Sequence, residues 1–302
     1  MEKTSVGGIN LPIPSKKPSC LIAGGDLRQI YLANLLAGEM AVSVTALGRD
    51  HSQLSSQVRH GIPPAPDYLI LPLPASSGAL LNAPLEGSPV PLEQILSCAA
   101  GHTLVFGGRI GPELWEALRR RGLTGFDYLE REELAVLNAA ATAEGALALL
   151  LDELPITLSG ARILVVGSGR ISRALRSRLL ALGSEVTVSA RRPAELAWIQ
   201  AEGGRPLPSA ELGGALAGFD AVVNTVPARL FGEEMLRRLG RETLLIDLAS
   251  RPGGVDFEAA ARLGVRAVWA LSLPGKTAPV TAGRIIGQTI RNIIKEEEHG
   301  KA

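Results

Sequence analysis

A glycine-containing turn between a strand and a helix is the feature that most restricts the fold of this 302-residue chain. The segment reads RILVVGSGRIS, residues 162–172, and its run of branched apolar residues predicts a strand that ends at Gly167. Gly167 suits a tight turn, and Gly169 would let the backbone approach a pyrophosphate lying on the amino terminus of the next helix. In this strand–turn–helix setting the pattern predicts a dinucleotide-binding domain. The predicted contacts of the turn are Gly167, Ser168, Gly169, Arg170 and Ile171.

The end of the next predicted strand, EVTVSARRP (185–193), indicates which dinucleotide is bound. No acidic residue stands where the 2′-hydroxyl of the adenosine ribose would be held, and Ser189 is followed closely by Arg191 and Arg192. A carboxylate there would repel a 2′-phosphate, whereas a guanidinium group binds one with two parallel hydrogen bonds. The sequence therefore predicts NADP (NADPH) rather than NAD as the cofactor. The alternative is two solvated arginines on a loop.

Short apolar runs alternate with helical periods twice along the chain, which is typical of parallel α/β sheets. The first series starts at SCLIAGGD (19–26) and the second at residue 162, and a long helix is predicted between them at about 131–153. The predicted fold class is α/β, with two Rossmann-like, doubly wound parallel-sheet domains that flank a cleft and are joined by the long helix. The predicted boundaries are 1–140 for a substrate domain, 141–279 for the NADP-binding domain, and a C-terminal helix at 280–302 that packs back on the first domain.

Composition excludes several classes of function. A net charge of +1 and an aromatic content of 4% argue against nucleic acid or anionic lipid as a partner. The two cysteines and four histidines show no metal spacing, and no nucleophile elbow or phosphate-binding P-loop is present. The most apolar long segment, 134–151, contains Asn138, Thr142 and Glu144, which favours a buried helix over a membrane span. No signal peptide is visible at the start of the chain. The sequence therefore points to hydride chemistry and away from hydrolysis.

Polar residues follow several predicted strands of the second series, at the edge where such sheets bind ligands. We expect one set to contact the cofactor: Asn224, Thr225, Val226, Pro227 and Ser250. Arg251 and Lys276 follow later strands and are predicted to contact the substrate, and Asp247 ends a strand between them. For each residue alone, a structural role in its loop remains the alternative.

The first series offers the other candidates for the substrate site. Arg28 follows its first strand, and Ser76 and Ser77 follow its third. On the long helix, Asn138 and Thr142 share one face with Gly145, which would allow a close approach. Packing against a neighbouring loop is the alternative for Asn138 and Thr142.

Seven stretches taken together resemble the family of the A subunit of dipicolinate synthase, an enzyme of bacterial spore formation. They are GGDLRQ (24–29), LPLPASSG (71–78), NAAATAEG (138–145), GSGRIS (167–172), NTVPA (224–228), DLASRPGGVDF (247–257) and LPGKTAPVTAG (273–283). The resemblance runs from about residue 19 to 295, and DLASRPGG and LPGKTAP are its most specific pieces. The chain departs from the family pattern at Ala141, where proline is usual, and at Ser172, where a third glycine is common.

The resemblance implies a reaction that residue patterns alone do not give. The substrate would be dihydrodipicolinate or hydroxytetrahydrodipicolinate, a cyclic dicarboxylate produced in the lysine pathway, and the product dipicolinate, pyridine-2,6-dicarboxylate. Water would be lost from the hydroxytetrahydro form, a hydride would pass to the nicotinamide, and a proton would leave as the ring becomes aromatic. Lys276, Asp247 and Thr142 are the catalytic candidates, and the proton acceptor stays open between Lys276, Asp247 and water. The candidates for binding the two carboxylates are Arg28, Ser76, Ser77, Thr142, Arg251 and Lys276.

The resemblance also implies that the partner is a flavoprotein-like B subunit, that homo- and hetero-oligomers form, and that the protein works in the mother-cell cytoplasm of a sporulating bacterium. Two other functions remain open on the residues alone. One is a different two-domain NAD(P)-dependent dehydrogenase, acting on an amino acid or an enol acid. The other is a non-catalytic nucleotide-binding subunit whose partner performs the chemistry.

Overall fold

The structure, a computed structural model, describes residues 17–48 and 52–300. It divides into two units, Met1–Asp127 and Tyr128–Ala302. Each unit contains a six-stranded sheet in which all strands run parallel. The predicted fold class of two Rossmann-like parallel-sheet domains is therefore confirmed.

The sheet of the first unit has the strand order β3-β2-β1-β4-β7-β8. The strands of this unit are β1 (Ser19–Ala23), β2 (Ala41–Thr45), β3 (Arg59–His60), β4 (Tyr68–Ile70), β5 (Ser76–Ser77), β6 (Leu80–Leu81), β7 (Leu104–Gly107) and β8 (Thr124–Asp127). β5 and β6 pair with each other as a short antiparallel hairpin outside the sheet. The helices are α1 (Leu27–Leu36), α2 (Leu92–Leu96) and α3 (Pro112–Arg120). One face of the sheet packs on α2 and α3 through a core that includes Leu69, Val105 and Leu114.

The sheet of the second unit repeats this order as β11-β10-β9-β12-β13-β14. Its strands are β9 (Arg162–Val166), β10 (Glu185–Ala190), β11 (Arg205–Pro208), β12 (Ala221–Asn224), β13 (Leu244–Asp247) and β14 (Ala267–Trp269). The edge strand β11 reads RPLP, and its prolines are compatible with an edge because no ladder has to form on the outer side. Those same prolines conceal the strand from sequence patterns.

Helices cover both faces of the second sheet. They are α4 (Glu132–Glu153), α5 (Arg170–Ala181), α6 (Pro193–Ala201), α7 (Leu212–Ala215), α8 (Glu233–Leu236), α9 (Phe257–Leu263), α10 (Leu273–Thr277) and α11 (Pro279–Gly300), with 3₁₀ turns at Tyr128–Glu130, Ser209–Glu211 and Leu216–Gly218. Side chains of β9 alternate between two cores, Ile163 and Val165 toward α4, α5 and α10, and Leu164 and Val166 toward α7 to α9. This alternation buries the strand on both sides, as expected of a central parallel strand.

The unit boundary differs from the boundary that the sequence predicts at residue 140. The whole of α4 belongs to the second unit because it lies beside α5, where the Arg178 guanidinium binds Glu144 at 3.0 Å. The C-terminal helix α11 also belongs to the second unit, not to the first. Two hydrogen bonds of 2.7 Å join its Glu296 to Arg131, at the start of α4.

Helix α4 is long and apolar enough to cross a membrane by length and composition alone. Buried helices of soluble proteins meet the same criterion, and 39% of its most apolar window is buried. Its Ala143, Ala146 and Leu150 are fully buried in the core shared with α5.

Candidate functional site

The turn between β9 and α5 uses its two glycines in different ways. Gly167 has φ +102°, and a Cβ atom there would lie 2.5 Å from Thr225 Oγ1. Gly169 begins α5 with φ −75°, and a Cβ atom there would meet nothing within 4 Å. Gly167 therefore packs the turn against the loop after β12, whereas Gly169 borders open space.

The amino terminus of α5 leaves backbone donors available. No side chain caps it, and Arg173 N donates to Gly169 O at 3.0 Å to begin the helical ladder. The amides of Arg170 and Ile171 precede that bond and lack helical acceptors. Together with the helix dipole, such amides form a site for phosphate oxygens.

A cavity of about 550 Å³ opens beside this turn, within the second unit. It lies at the carboxyl ends of β9, β10 and β12, where ligands of doubly wound sheets bind. Eight predicted cofactor residues line it: Gly167, Ser168, Gly169, Ser189, Arg191, Thr225, Val226 and Pro227. Leu212 and Leu230 add apolar wall, which suits an aromatic base.

Five predicted cofactor residues do not line the cavity: Arg170, Ile171, Arg192, Asn224 and Ser250. The Arg170 side chain is held by Glu132 of α4 through two hydrogen bonds, the first of 2.7 Å between Nε and Oε1. This bonding lowers the pKa of Glu132 and raises that of Arg170. Ile171 packs into the α5 core, and Ser250 lies exposed on the loop after β13. Of these five residues, Arg170 and Ile171 could thus meet a phosphate, and they could do so only through their backbone amides.

Arg191 and Arg192 have different surroundings. Arg191 lines the cavity, and its side chain makes no hydrogen bond or ion pair with the residues that the structure describes. Arg192 begins α6 and donates through Nε to Glu195 Oε1 at 2.9 Å. The predicted pair of anion-binding arginines therefore reduces to Arg191 on the cavity wall.

Glu195 is a cavity residue that sequence reasoning missed. Its carboxylate accepts a hydrogen bond from Arg192, and this bond is the main cause that holds its pKa below the usual range. The segment RPAE carries a detectable signal, because proline suits the first position of a helix and a glutamate two residues later can reach back to the N-cap.

Asn224 and Asp247 form a buried polar network under the strand ends. Asn224 Nδ2 donates to Asp247 Oδ1 at 2.8 Å, and the Asp247 carboxylate also accepts the amides of Ala249 at 3.0 Å and Gly254 at 2.7 Å. Asn224 also bonds the backbone of Val226. Both side chains are fully buried, so they fix the loops that follow β12 and β13 and do not reach a ligand. This geometry speaks against the predicted catalytic role of Asp247 and the cofactor contact of Asn224.

The loop after β13 presents a cation in a defined position. The exposed Arg251 guanidinium lies 5.7 Å from the centre of the Trp269 ring, and the Trp269 indole donates to Ala249 O at 3.1 Å. Phe257 stacks on Trp269 at 5.3 Å. Arg251 is therefore oriented by a cation–π contact while its hydrogen-bond donors remain open to solvent.

Lys276 lies on α10, which packs on α4 at Gly145. A Cβ atom at Gly145 would lie 2.9 Å from Leu273 Cβ and 3.1 Å from Thr277 Oγ1. The close approach predicted at this glycine is thus made by α10. The Lys276 side chain is exposed and has no partner among the described residues.

The two predicted substrate-binding residues of α4 have contrasting contacts. The Thr142 hydroxyl donates to Asn138 O at 2.8 Å, inside its own helix. Asn138 Oδ1 is buried and accepts no hydrogen bond from the described residues. Ala141 continues the helix without a break at the position where the family pattern has proline. At Ser172, the other departure, the side chain is buried and its hydroxyl is likewise without a partner among those residues.

The first unit has a similar glycine turn between β1 and α1, but this turn is closed. Gly25 N donates to Asn82 O at 2.8 Å, and a Cβ atom at Gly24 would lie 2.7 Å from Leu81. The hairpin β5–β6 thus covers the place where a pyrophosphate would lie. The Asp26 side chain caps α1, which also places negative charge at the helix amino terminus.

Arg28 is used inside the first unit. It is buried, and its guanidinium binds both oxygens of Asp26 at 2.8 Å and donates to Leu73 O at 3.0 Å. Burial opposes ionisation of Asp26, but the bonds from Arg28 outweigh it and hold the pKa of Asp26 below its usual range. These contacts leave Arg28 poorly placed to bind a substrate carboxylate. Ser76 and Ser77 form β5, and their hydroxyls have no partner among the described residues.

Comparisons with known proteins agree with this architecture. The model for the N-terminal domain of the dipicolinate synthase A subunit matches residues 19–129. The A subunit of dipicolinate synthase from Bacillus subtilis is 31% identical over 290 residues, which span 93% of this chain and 97% of that protein. The chain belongs to the family of dipicolinate synthase A subunits.

Solved structures of this family have the same fold. The A subunit from Bacillus halodurans superposes with a TM-score of 0.84 at 27% identity, covering 92% of this chain and 98% of that one. A transhydrogenase from Sinorhizobium meliloti gives a TM-score of 0.68 at 18% identity, covering 92% of this chain and 94% of that one, which shows a shared fold only. The resemblance to the A subunit family inferred from seven short motifs is thus confirmed.

Proposed function

We propose that this chain is the NADP-dependent oxidoreductase subunit that forms dipicolinate from a cyclic dihydro- or hydroxytetrahydro-dicarboxylate. The observation that carries the proposal is the cavity beside Gly167 and Gly169, whose lining includes Arg191, a cation without a partner among the described residues. Membership of the dipicolinate synthase A subunit family supplies the substrate class.

The residues present fit a dinucleotide. No side chain of the described residues caps the amino terminus of α5, the space at Gly169 is open, and apolar residues contribute to the lining of the cavity. The amides of Arg170 and Ile171 would hold the pyrophosphate, and Arg191 would hold the 2′-phosphate. When bound, NADP would supply the acceptor for the substrate hydride.

The two substrate carboxylates require cations or hydrogen-bond donors. Arg251, oriented by Trp269, and Lys276 on α10 are the exposed cations of the second unit that meet this need. Ser76 and Ser77 offer hydroxyl donors on the first unit. Arg28 is less suited to this role because its Nε and Nη2 atoms already bind the two carboxylate oxygens of Asp26.

The proton lost on aromatisation needs an acceptor. Asp247 is enclosed by three donors, so Lys276 or water takes this role in our proposal. Thr142 would act as a donor to substrate only after its hydroxyl leaves Asn138 O. Because aromatisation drives the reaction, positioning of the donor and acceptor carbons is the larger contribution of the protein.

A partner subunit and a cytoplasmic location complete the proposal. The relatives are named as A subunits of a synthase, which supports a hetero-oligomer with a second, flavoprotein-like B subunit. The expected setting is the mother-cell cytoplasm during sporulation.

Turnover gives the direct test. The purified chain, with and without the B subunit of the same organism, is incubated with the cyclic condensation product and NADP, and pyridine absorbance is followed in the ultraviolet. Formation of the pyridine product together with NADPH supports the proposal. Oxidation of an amino acid or enol acid in place of this substrate would favour the alternative of a different dehydrogenase.

Cofactor choice is tested on Arg191. We expect Arg191→Ala to weaken NADPH binding about tenfold, because one charged phosphate contact is lost, and to leave NADH binding unchanged. Arg241→Ala, an exposed arginine outside the cavity, is the matched control. An unchanged ratio of NADPH to NADH affinity in a folded Arg191→Ala variant, measured by calorimetry, contradicts the role of Arg191.

A further inference from the structure

Glu195 places a negative charge on the lining of the cavity that also contains Arg191. Its side chain is 18% exposed, so solvent screens it only in part. It accepts a hydrogen bond from Arg192 Nε at 2.9 Å, at the start of α6.

The charged residues Arg191, Arg192 and Glu195 do not form a purely cationic site for an anion. Arg192 is paired with Glu195, and of this ion pair only the carboxylate lines the cavity, because the Arg192 side chain is 78% exposed and off the cavity wall. Arg191 remains as the uncompensated cation among the described residues that line the cavity. A 2′-phosphate, with nearly two negative charges, would therefore meet one free cation and one carboxylate.

A ribose 2′-hydroxyl would meet the same carboxylate with the opposite result. A hydroxyl donates to a carboxylate, and this contact is the one by which such sheets select NAD over NADP. In this chain the carboxylate comes from the first turn of α6 and not from the end of β10. The cavity thus holds one group that favours the 2′-phosphate and one that disfavours it.

We infer that Glu195 is a second cofactor-selecting residue, which opposes Arg191 and limits the preference of the site for NADP over NAD. The inference rests on the proposed function, because it requires that a nicotinamide dinucleotide occupies this cavity. Glu195 acts in two ways: its charge repels the 2′-phosphate, and it keeps Arg192 away from it.

The test compares the affinities of the full chain and its Glu195→Gln variant for NADPH and NADH by calorimetry. We expect the ratio of NADPH to NADH affinity to rise about three- to tenfold in Glu195→Gln, because the charge is removed and Arg192 is released. The fragments 2′,5′-ADP and 5′-AMP should show the same change, since they differ only in the 2′-phosphate and lack the nicotinamide.

Two further variants guard the result. Glu195→Asp keeps the charge and should keep a ratio close to that of the unmodified protein. Glu234→Gln removes a glutamate of α8 that pairs with Arg238 outside the cavity, and it should leave the ratio of the two affinities unchanged. Far-ultraviolet circular dichroism and melting curves establish that each variant is folded.

The outcomes separate the two proposals. An unchanged ratio in a folded Glu195→Gln variant that still binds both cofactors overturns the role of Glu195 and leaves the proposed function standing. An equal rise in Glu195→Asp and Glu195→Gln also overturns it, because charge would then not be the cause. Failure of the unmodified protein to bind either dinucleotide contradicts the proposed function itself.

Discussion

At the scale of single residues, the two glycines of the turn after β9 differ in what would require a glycine at each position. Gly167 combines a positive φ with the 2.5 Å approach of Thr225 Oγ1, so its requirement comes from the protein itself. Gly169 has an ordinary φ and open space around it, so nothing in the described part of the protein requires a glycine there. The requirement at Gly169 would come from a ligand that approaches the backbone.

This difference gives a paired prediction. Gly167→Ala is expected to lower the free energy of unfolding by about 1–3 kcal/mol, because the side chain enters a strained backbone region and meets Thr225. Gly169→Ala is expected to leave the unfolding free energy within about 0.5 kcal/mol of the unmodified value and to weaken NADPH binding. Urea denaturation and calorimetry measure the two effects. Unimpaired NADPH binding in Gly169→Ala would contradict the prediction that the pyrophosphate lies against Gly169.

At the scale of elements, the packing of α10 on α4 depends on a missing side chain. Gly145 lets Leu273 and Thr277 approach α4 closely, and α10 carries Lys276. The position of a candidate substrate-binding cation is therefore set by a glycine on another helix.

Gly145→Val tests this dependence. The added carbons would overlap Leu273 Cβ, and we expect a loss of about 1–3 kcal/mol in unfolding free energy with a displaced α10. Ala148→Val, on the exposed side of the same helix, is the control and should stay near the unmodified stability. Turnover should fall in Gly145→Val with little change in NADPH affinity. Normal turnover in a folded Gly145→Val variant would mean that the position of α10 does not matter for the reaction.

At the scale of the whole molecule, two sheets share one strand order, but their glycine turns differ in whether they face an open cavity. In the second unit the turn faces a cavity, whereas in the first unit Gly25 N is already bonded to Asn82 O. The duplication of the fold therefore does not imply duplication of the site.

Hydrogen exchange tests this asymmetry. NADPH at a hundredfold excess over its Kd should protect amides of the turn at Gly167–Ile171, by up to about 2.7 kcal/mol for those that exchange through global unfolding. The amide of Gly25 should already be slow without cofactor and should not respond through direct contact. If NADPH protected only the turn of the first unit, the cofactor would bind beside the first sheet, and the proposed site in the second unit would be wrong.

Much of the fold follows from local patterns. The alternation of apolar runs with helical periods predicts most of the central strands, and the long helix predicted at 131–153 is found at Glu132–Glu153. The short edge strands escape this reasoning: β3 has two residues and β11 has two prolines, so neither shows a strand period. The site is predictable where glycines and strand ends define it, and eight of the predicted cofactor residues line the cavity.

The sequence by itself determined the fold class, the family and the edge of the sheet where a dinucleotide would bind. These properties depend on the periodicity of apolar residues and on the backbone conformations that residues such as glycine allow. Only the tertiary structure decided which charges are free: Arg191 faces the cavity, while Arg192, Arg170 and Arg28 are bound to Glu195, Glu132 and Asp26. The physical reason is that the availability of a charge depends on its neighbours in space, and for Arg170 that neighbour lies 38 residues away along the chain.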